Sequence, residues 1–384
     1  MGLATLEAPI DGAHQTVLNT AFHLNATPFA VLSQEARSRF LVQRTSVHLE
    51  TNVGRWKQMQ EKYMKRISRE KSTLTEFGAH LEPELVVDLG EKFVIETNDN
   101  WWNLLGEKDA KPRPAEPPLA ALQVFRANPV GGPVFVNGVE PGDTLVVDIG
   151  RIAIRDWGWT GTIKGFGQLT GFTELQEIDE DFSTVVRHIA GRSGTLDDGE
   201  AVMNVGREVR WPLAPFCGVI VTAPERGIEN TVISQGPWGG NIDVRDICAG
   251  HKIHLNASHA GALLFLGDVH GSQGDSELTG IANETAADVT LSCDVIKGKR
   301  TPGVCRIEKP QSIIQVDSTR NSGGMDRALT SCFLNMIRWL VDDYGMSKRE
   351  AYFHMTANSL VRINVYQYTS GFFTCGVEFP KQCL

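Results

Sequence analysis

Long apolar runs are missing from this 384-residue chain, since no stretch approaches the roughly 20 residues that a membrane-spanning helix needs. The opening residues, MGLATLEAPIDGAH, have no basic segment followed by an apolar one, so we expect no secretory signal. Basic residues are in deficit, with 37 Lys and Arg against 46 Asp and Glu and a net charge of −9. This charge disfavours general nucleic-acid binding. We therefore expect a cytoplasmic protein without a membrane or nucleic-acid partner.

Paired cysteines and several common catalytic motifs are absent as well. The seven cysteines are dispersed, odd in number and never spaced as CxxC, which favours reduced thiols over a disulfide framework. No GxGxxG segment or P-loop is present, which argues against a Rossmann or P-loop nucleotide site. A serine triad also fits poorly, because the chain has no GxSxG elbow.

Short strand-like runs follow one another between Phe77 and Gln315. Turn residues bound these runs, which read LVVDLG, KFVIET, GGPVFVNG, DTLVVDIG, GVIVTAP, HKIHL, GALLFLGD, ADVTLSCDVI and SIIQVD. Leu145, Val147 and Ile149 show the period-two alternation of a strand. Many short strands separated by Gly, Pro and Asn turns predict a β-sandwich or barrel. We place this mostly-β body at residues 76–318.

The C-terminal residues show a different pattern. Apolar residues recur at helical spacing from Met325 to Tyr344, and Gly345 follows as a helix stop. Ser347 and Glu350 then form a capping box that opens a second helix. Two strand-like runs, RINVYQY and TCGVEF, follow it. We therefore predict a small α+β unit at residues 319–384.

The N-terminal residues 1–75 form a basic extension in this interpretation. Residues 35–71 hold ten Lys or Arg and four Asp or Glu, a net charge of +6 against −15 for the rest of the chain. Trp56, Met59, Tyr63 and Ile67 recur at helical spacing, which predicts a helix near residues 55–71. Such a helix can pack on its own body or on a neighbouring subunit. We favour the neighbouring subunit and expect a homo-oligomer.

Chemistry-bearing side chains concentrate in residues 261–280, GALLFLGDVHGSQGDSELTG. A buried strand there leads into a Gly-rich loop that holds a closely spaced set of polar residues: Asp268, His270, Gln273, Asp275 and Glu277. Carboxylates and imidazole together suit Zn²⁺, Mn²⁺ or Fe²⁺. A divalent ion lowers the pKa of a water that it binds, and a spare carboxylate can then move the proton. The alternative is a polar turn in which Asp268 and Asp275 cap backbone amides.

Several segments resemble the acetamidase/formamidase family in the same order along the chain. They are GGPVFVNGVEPGDTLVVDI (131–149), WGWTGTIKGFGQLT (157–170), GGNIDVRDICAG (239–250) and GDVHGSQGDSELTG (267–280). The resemblance implies a β-sandwich and barrel body with a small α/β cap. It also implies a hydrolase that splits a linear amide into carboxylic acid and ammonia, with a bound divalent metal that is usually zinc.

The resemblance and the residue chemistry together give a set of site hypotheses. We assign the metal ligands to Asp243, Asp268 and His270, with Asp99 as a fourth candidate. We assign general acid–base catalysis to Glu277, with Asp275 as the other acidic candidate. Substrate contacts are assigned to Asn241 and Gln273, to backbone amides that include those of Gly240 and Gly274, and to Trp238 as a pocket wall.

Two departures from the family pattern leave other functions open. Ser276 stands where the family motif has Gly, and Trp101 and Trp102 directly follow Asp99. These bulkier side chains favour, as an alternative, a hydrolase of a lactam, a carbamate or a larger aryl amide. A third hypothesis is a non-catalytic β-sandwich binding protein that keeps the metal loop.

Overall fold

Two large β-sheets form most of the structure. The computed structural model describes residues 64–103, 113–114, 126–369 and 371–384. The strands in these residues, in chain order, are β1 (Lys65–Ile67), β2 (Glu76–Phe77), β3 (Leu85–Val87), β4 (Lys92–Thr97), β5 (Arg113–Pro114), β6 (Val130–Val136), β7 (Thr144–Ile154), β8 (Trp157–Thr162), β9 (Phe182–Ile189), β10 (Glu200–Val205), β11 (Arg207–Pro212), β12 (Phe216–Thr222), β13 (Glu229–Asn230), β14 (Gln235–Gly236), β15 (Gly239–Asn241), β16 (Lys252–Asn256), β17 (Leu264–Ser272), β18 (Asn283–Thr285), β19 (Ala287–Ile296), β20 (Cys305–Glu308), β21 (Ser312–Ser318), β22 (Arg362–Thr369) and β23 (Phe372–Pro380).

The strand order confirms the mostly-β prediction. One sheet runs β1-β4-β19-β7-β16-β20-β21-β23-β22. The other runs β11-β10-β9-β8-β18-β17-β12-β15-β14, with β3, β5 and β6 attached beside this path. Neither path returns to its first strand, so the described strands form open sheets and no closed barrel.

The main hydrophobic core joins the two sheets. Val147 and Ile149 of β7 lie in the same buried cluster as Ile220 of β12 and Leu266 of β17. The alternation read from the sequence places Leu145, Val147 and Ile149 in this core. β12 and β17 are buried along their whole length. Any polar side chain on these two strands is therefore removed from water.

The C-terminal helices are α1 (Thr319–Ser322), α2 (Met325–Asp342) and α3 (Lys348–Ala357). α2 packs on β21 and β23 through its buried stripe, which includes Ala328, Cys332, Met336 and Leu340. The capping box of Ser347 and Glu350 is present at the start of α3. β22 and β23 continue the first sheet through β21, so the C-terminal unit shares a sheet with the body. Among the described helices, none has the length and apolarity to cross a membrane.

The helix predicted near residues 55–71 is wrong for its described part. Residues Lys65–Ile67 form β1, which pairs in parallel with β4, and Arg69–Lys71 form one short 3₁₀ turn. Pairing with β4 buries Ile67 completely, and this tertiary contact outweighs the helical periodicity. Trp56, Met59 and Tyr63 lie outside the described residues, and the homo-oligomer stays a prediction.

The basic residues of this segment pair with acidic residues of the same chain. The pairs are Lys65 with Glu91, Arg66 with Glu96, Arg69 with Asp288 and Lys71 with Glu84. At these positions the basic segment therefore forms its ion pairs within one chain and needs no neighbouring subunit for them. The compact unit that contains this segment spans Met64–Leu384.

All seven cysteines are free thiols, as the sequence indicated. Burial raises the pKa of the partly buried Cys248 to about 11. Cys332 and Cys375 come closest, with a distance of 3.8 Å between their sulfur atoms. A disulfide bond is about 2.05 Å long, so this pair is not bonded.

Candidate functional site

Five ionisable side chains converge where β17 and β18 meet the segment that follows β15. Asp268 and His270 are two residues apart on β17. Glu284 on β18 lies directly opposite His270 in the strand register. Asp243 follows β15, and Glu277 comes from the loop after β17. We call these five residues the acidic cluster.

Unusual backbone conformations bring the carboxylates of the acidic cluster together. Asp243, Asp268 and Glu277 have φ angles of +45°, +52° and +44°. Side chains other than glycine rarely adopt this left-handed region, and such strain is often found at functional sites. Gly218 of β12 lies against two of them, because a Cβ atom there would be 2.5 Å from Asp243 Oδ1 and 2.8 Å from Asp268 Oδ2. Any larger residue at position 218 would therefore clash with these two carboxylates.

The acidic cluster is almost completely buried. None of its five residues is more than 8% exposed. His270 Nε2 lies 3.4 Å from Asp268 Oδ2, 3.4 Å from Glu284 Oε2 and 3.9 Å from Asp243 Oδ1. Buried carboxylates cost much free energy unless they are paired or bind a cation. One imidazole cannot compensate four of them.

This imbalance shifts the pKa values of Asp243, Glu277 and His270. Burial raises the pKa of Asp243 to about 7, with Asp268 adding to the rise and His270 opposing it. Burial and the neighbouring carboxylates also raise the pKa of Glu277 well above its usual range. Burial alone would lower the pKa of His270, but Glu284 and Asp268 raise it well above its ordinary value. The carboxyl groups of Asp243 and Glu277 are therefore harder to ionise than ordinary carboxyl groups.

Gln273 fixes the orientation of His270. Its Nε2 donates hydrogen bonds to the backbone carbonyls of Asp243 (3.1 Å) and Tyr366 (3.0 Å). Its Oε1 is thus the acceptor for His270 Nδ1, at 3.0 Å. His270 Nε2 is left facing the carboxylates. Metal-binding histidines are oriented in the same way, by a hydrogen bond at the other ring nitrogen.

The residues of the acidic cluster fit a divalent cation. Three of its buried carboxylate oxygens have no hydrogen-bond partner, namely Asp243 Oδ1, Asp268 Oδ1 and Glu284 Oε2. Two groups of three residues each bring their potential ligand atoms within 4.8 Å of one another. One group is Asp243, Asp268 and His270, and the other is His270, Glu277 and Glu284. Carboxylate oxygen and imidazole nitrogen are ligands for zinc and related ions.

Replacing Gln273 with Leu should weaken metal binding by roughly 10- to 100-fold, the usual effect of losing a partner behind a metal ligand. The imidazole of His270 would lose the acceptor that sets its orientation. Titration with a competing chelator measures the affinity, and Gln176→Leu on an exposed turn is the control. Unchanged affinity in Gln273→Leu would show that His270 is held by other contacts.

A small cavity borders the acidic cluster and has a volume of about 60 Å³. A cavity needs roughly 10–15 Å³ of such volume to hold one water molecule, so this cavity is large enough for a small ligand. Asp243, Asp268, Glu277 and Glu284 line one part of it. Apolar and amide side chains complete the lining, among them Trp101, Phe166, Phe372, Asn100 and Asn241.

The structure does not bring Asp99 to the acidic cluster. Asp99 follows the end of β4 and begins a turn in which its Oδ1 accepts the backbone N–H groups of Trp101 (3.1 Å) and Asn103 (2.7 Å). Its Oδ2 accepts a hydrogen bond from Arg155 at 2.6 Å. Both oxygens are therefore engaged by the protein, and metal ligation by Asp99 finds no support in this geometry.

Asp275 also lies apart from the acidic cluster. It is exposed and pairs with Arg245 at 3.0 Å. The next two residues, Ser276 and Glu277, have φ angles of +86° and +44°. This local conformation accompanies a buried Glu277 close to an exposed Asp275. Of these two acidic residues, only Glu277 lines the small cavity.

Of the four predicted substrate contacts besides Gln273, only Asn241 lines the small cavity. Asn241 lines the cavity, and its Nδ2 donates to the backbone carbonyl of Val232 at 2.7 Å. Gly274 lines a wider cavity, which shares Glu277 and Ile281 with the small one. Trp238 packs with an apolar cluster around Phe265 and does not line the small cavity. Gly240 lies in β15, where a Cβ atom would be 2.0 Å from the Ser234 carbonyl oxygen. Glycine at position 240 therefore allows β15 to pack closely against the backbone at Ser234.

Sequence reasoning missed three residues of the site. Glu284 belongs to the acidic cluster, Gln367 donates a hydrogen bond to Asp243 Oδ2, and Asn128 donates one to Asp268 Oδ2 at 3.0 Å. An acidic residue inside the short apolar segment IANETAADV is a local signal for Glu284. Gln367 and Asn128 give no such signal, because they reach the site only through the fold.

This chain is similar to known proteins of one family. A model of the acetamidase/formamidase family matches residues 64–235 and 229–365. The crystal structure of an acetamidase from Bacillus halodurans is similar, with 27% identity and a TM-score of 0.70 over 83% of this chain and 98% of that one.

Curated relatives show the same relationship. A candidate formamidase of Schizosaccharomyces pombe is 28% identical over 46% of this chain and 53% of its own length. A formamidase of Methylophilus methylotrophus is 25% identical over 50% of this chain and 56% of its own length. The chain thus spans about half the length of these two relatives. Because the family match extends through most of the chain, this protein belongs to the acetamidase/formamidase family.

Proposed function

We propose that this protein hydrolyses the C–N bond of a small linear amide, giving a carboxylic acid and ammonia. The observation that carries the proposal is the buried acidic cluster on the wall of a cavity of about 60 Å³. Relatives named formamidase and acetamidase support the reaction class.

The proposed cofactor is one divalent metal ion, with zinc as our assignment. Asp243, Asp268 and His270 would hold it, and Glu284 is close enough to join them. When bound, the ion would polarise the amide carbonyl and lower the pKa of a water molecule. Its charge would also compensate the carboxylates that this chain buries.

Glu277 is the proposed general acid and base. It lines the cavity and lies beside Asp243, whose charge contributes to its raised pKa. A carboxyl group with a raised pKa can accept a proton from the attacking water and return it near neutral pH. Glu277 would deliver that proton to the leaving nitrogen, so that ammonia departs as a neutral molecule.

The size of the cavity favours a small amide over the alternatives. A volume of about 60 Å³ favours a ligand of the size of formamide or acetamide over one with an aryl group. Phe166 and Phe372 further narrow it. Of the two tryptophans that suggested a larger substrate, Trp102 donates to the Arg126 carbonyl and does not line the cavity, whereas Trp101 lines it and thereby limits its size.

A panel of amides tests this proposal. Formamide, acetamide, propionamide, benzamide and a γ-lactam would be offered to the metal-loaded protein, and release of the acid or ring-opened product measured. We expect kcat/KM to be highest for formamide or acetamide and to fall steeply with acyl size. Preference for benzamide or the lactam would replace the proposed substrate, and no turnover of any of them would refute the proposed function.

A further inference from the structure

Unpartnered polar atoms are concentrated around the small cavity. Twelve buried side-chain atoms in the described residues have no hydrogen-bond partner, and seven belong to residues that line this cavity. The acidic cluster accounts for three of the seven, and a cation would satisfy those. The other four are Asn100 Oδ1, Trp101 Nε1, Asn241 Oδ1 and Thr369 Oγ1.

The turn that carries Asn100 and Trp101 is fixed before any ligand binds. Asp99 accepts the backbone N–H groups of Trp101 and Asn103, and Arg155 binds Asp99 at 2.6 Å. Arg155 also donates to Asn103 Oδ1 at 3.0 Å. Trp102 and Asn103 have φ angles of +62° and +54°, which these contacts stabilise. The buried Asp99–Arg155 pair thus explains why an acidic residue stands here without joining the acidic cluster.

The same turn is coupled to the acidic cluster. The backbone N–H of Asn128 donates to the Asn100 carbonyl at 2.9 Å. The side chain of Asn128 then donates to Asp268 Oδ2 at 3.0 Å. Asn100, Trp101 and Asn241 are each at most 7% exposed. Their free atoms therefore have no access to bulk water as an alternative partner, and each is costly unless a ligand satisfies it.

We propose that Asn100 and Trp101, together with Asn241, recognise the amide group of the substrate. A primary amide offers two N–H donors and one carbonyl acceptor. The oxygens of Asn100 and Asn241 supply two acceptors for the N–H groups, and Trp101 Nε1 supplies a donor for the substrate oxygen. Asp99 and Arg155 are positioning residues for this turn. The inference rests on the proposed function and assigns residues to its substrate specificity.

The assignment predicts discrimination between acetamide and N-methylacetamide. N-methylacetamide has one N–H group, so it leaves one buried carboxamide oxygen unpaired. Leaving such a group unpaired lowers binding by roughly 5- to 100-fold. Removing the acceptor with Asn100→Leu should therefore lower kcat/KM for acetamide more than for N-methylacetamide. Trp101→Phe should lower both values alike, because both substrates carry the carbonyl oxygen.

The experiment measures acetate release, which is the product common to both substrates. The ratio of the two kcat/KM values is taken on one protein sample, so it does not depend on the folded fraction. We expect Asn100→Leu to reduce the preference for acetamide at least fivefold and Trp101→Phe to leave the preference unchanged. Trp159→Phe is the matched control for Trp101→Phe, because Trp159 Nε1 is also buried and unpartnered but does not line the cavity.

The outcomes separate this inference from the function on which it rests. A wild-type protein that hydrolyses none of the amides in the panel refutes the proposed function, and the recognition assignment fails with it. If formamide is hydrolysed and acetamide is not, formamide and N-methylformamide replace the acetamide pair, and formate release is measured. If the wild type is active and Asn100→Leu keeps the full preference for acetamide, the recognition assignment is wrong while the proposed function stands. Equal losses in Trp101→Phe and Trp159→Phe would likewise contradict a role for Trp101 Nε1 in binding.

Discussion

Replacing His270 with Ala should abolish amide hydrolysis and remove the bound metal at the same time. His270 is the ligand-type residue common to both groups of potential ligand atoms. Its Nε2 faces three carboxylates. Its loss would therefore remove the nitrogen ligand of the proposed metal and the positive charge that can compensate these carboxylates. We expect a loss of turnover beyond the roughly 10⁴-fold that a general acid–base group contributes. Elemental analysis and an ammonia assay on the same sample measure both effects.

The control for this variant is His254→Ala. His254 is also buried, but it lies on β16 and pairs with Glu308 at 3.1 Å, in the other sheet. We expect the folded fraction of His254→Ala to keep its metal content and its turnover per metal. If His270→Ala retained stoichiometric metal, the ligand assignment would be wrong.

Replacing Glu277 with Gln should reduce kcat by roughly 10²- to 10⁴-fold while the metal stays bound. Gln keeps the shape of the side chain but cannot accept the proton of the attacking water. The raised pKa of Glu277 and its place on the cavity wall are the reasons for assigning it this role. Steady-state kinetics and metal content, measured together, test the prediction.

Loss of metal from Glu277→Gln would give Glu277 a different role. It lies within ligand distance of His270 and Glu284, so such a result would make it a ligand. The proton-transfer role would then have to pass to another group on the cavity. Glu225→Gln, an exposed glutamate in the loop after β12, controls for the loss of a negative charge.

Eleven of the 23 described strands and the helices α2 and α3 could be predicted from the sequence, because their signals are local. The alternation of Leu145, Val147 and Ile149 and the capping box of Ser347 and Glu350 depend only on neighbouring residues. The segment Lys65–Ile67 could not be predicted in this way. Its strand exists because β4 is available to pair with it, and that contact is invisible in the local pattern.

The site was predictable in part for the same reason. Asp268, His270 and Glu277 are close in the chain, and the structure brings them together with Asp243. Spacing alone could not distinguish Glu277 from Asp275, because the buried and exposed positions depend on a loop with positive φ angles. Glu284 joins the cluster through strand pairing with β17. The sequence could not exclude Asp99 as a ligand, because Arg155, which binds it, lies 56 residues further along the chain.

The central claim is that the acidic cluster binds a divalent metal that amide hydrolysis requires. The most direct test removes metal from the wild-type protein with a chelator, confirms its removal by elemental analysis and then titrates Zn²⁺ back. We predict that ammonia release from formamide or acetamide disappears on removal and returns in proportion to the metal bound. Full activity in protein shown to be free of metal would contradict the claim.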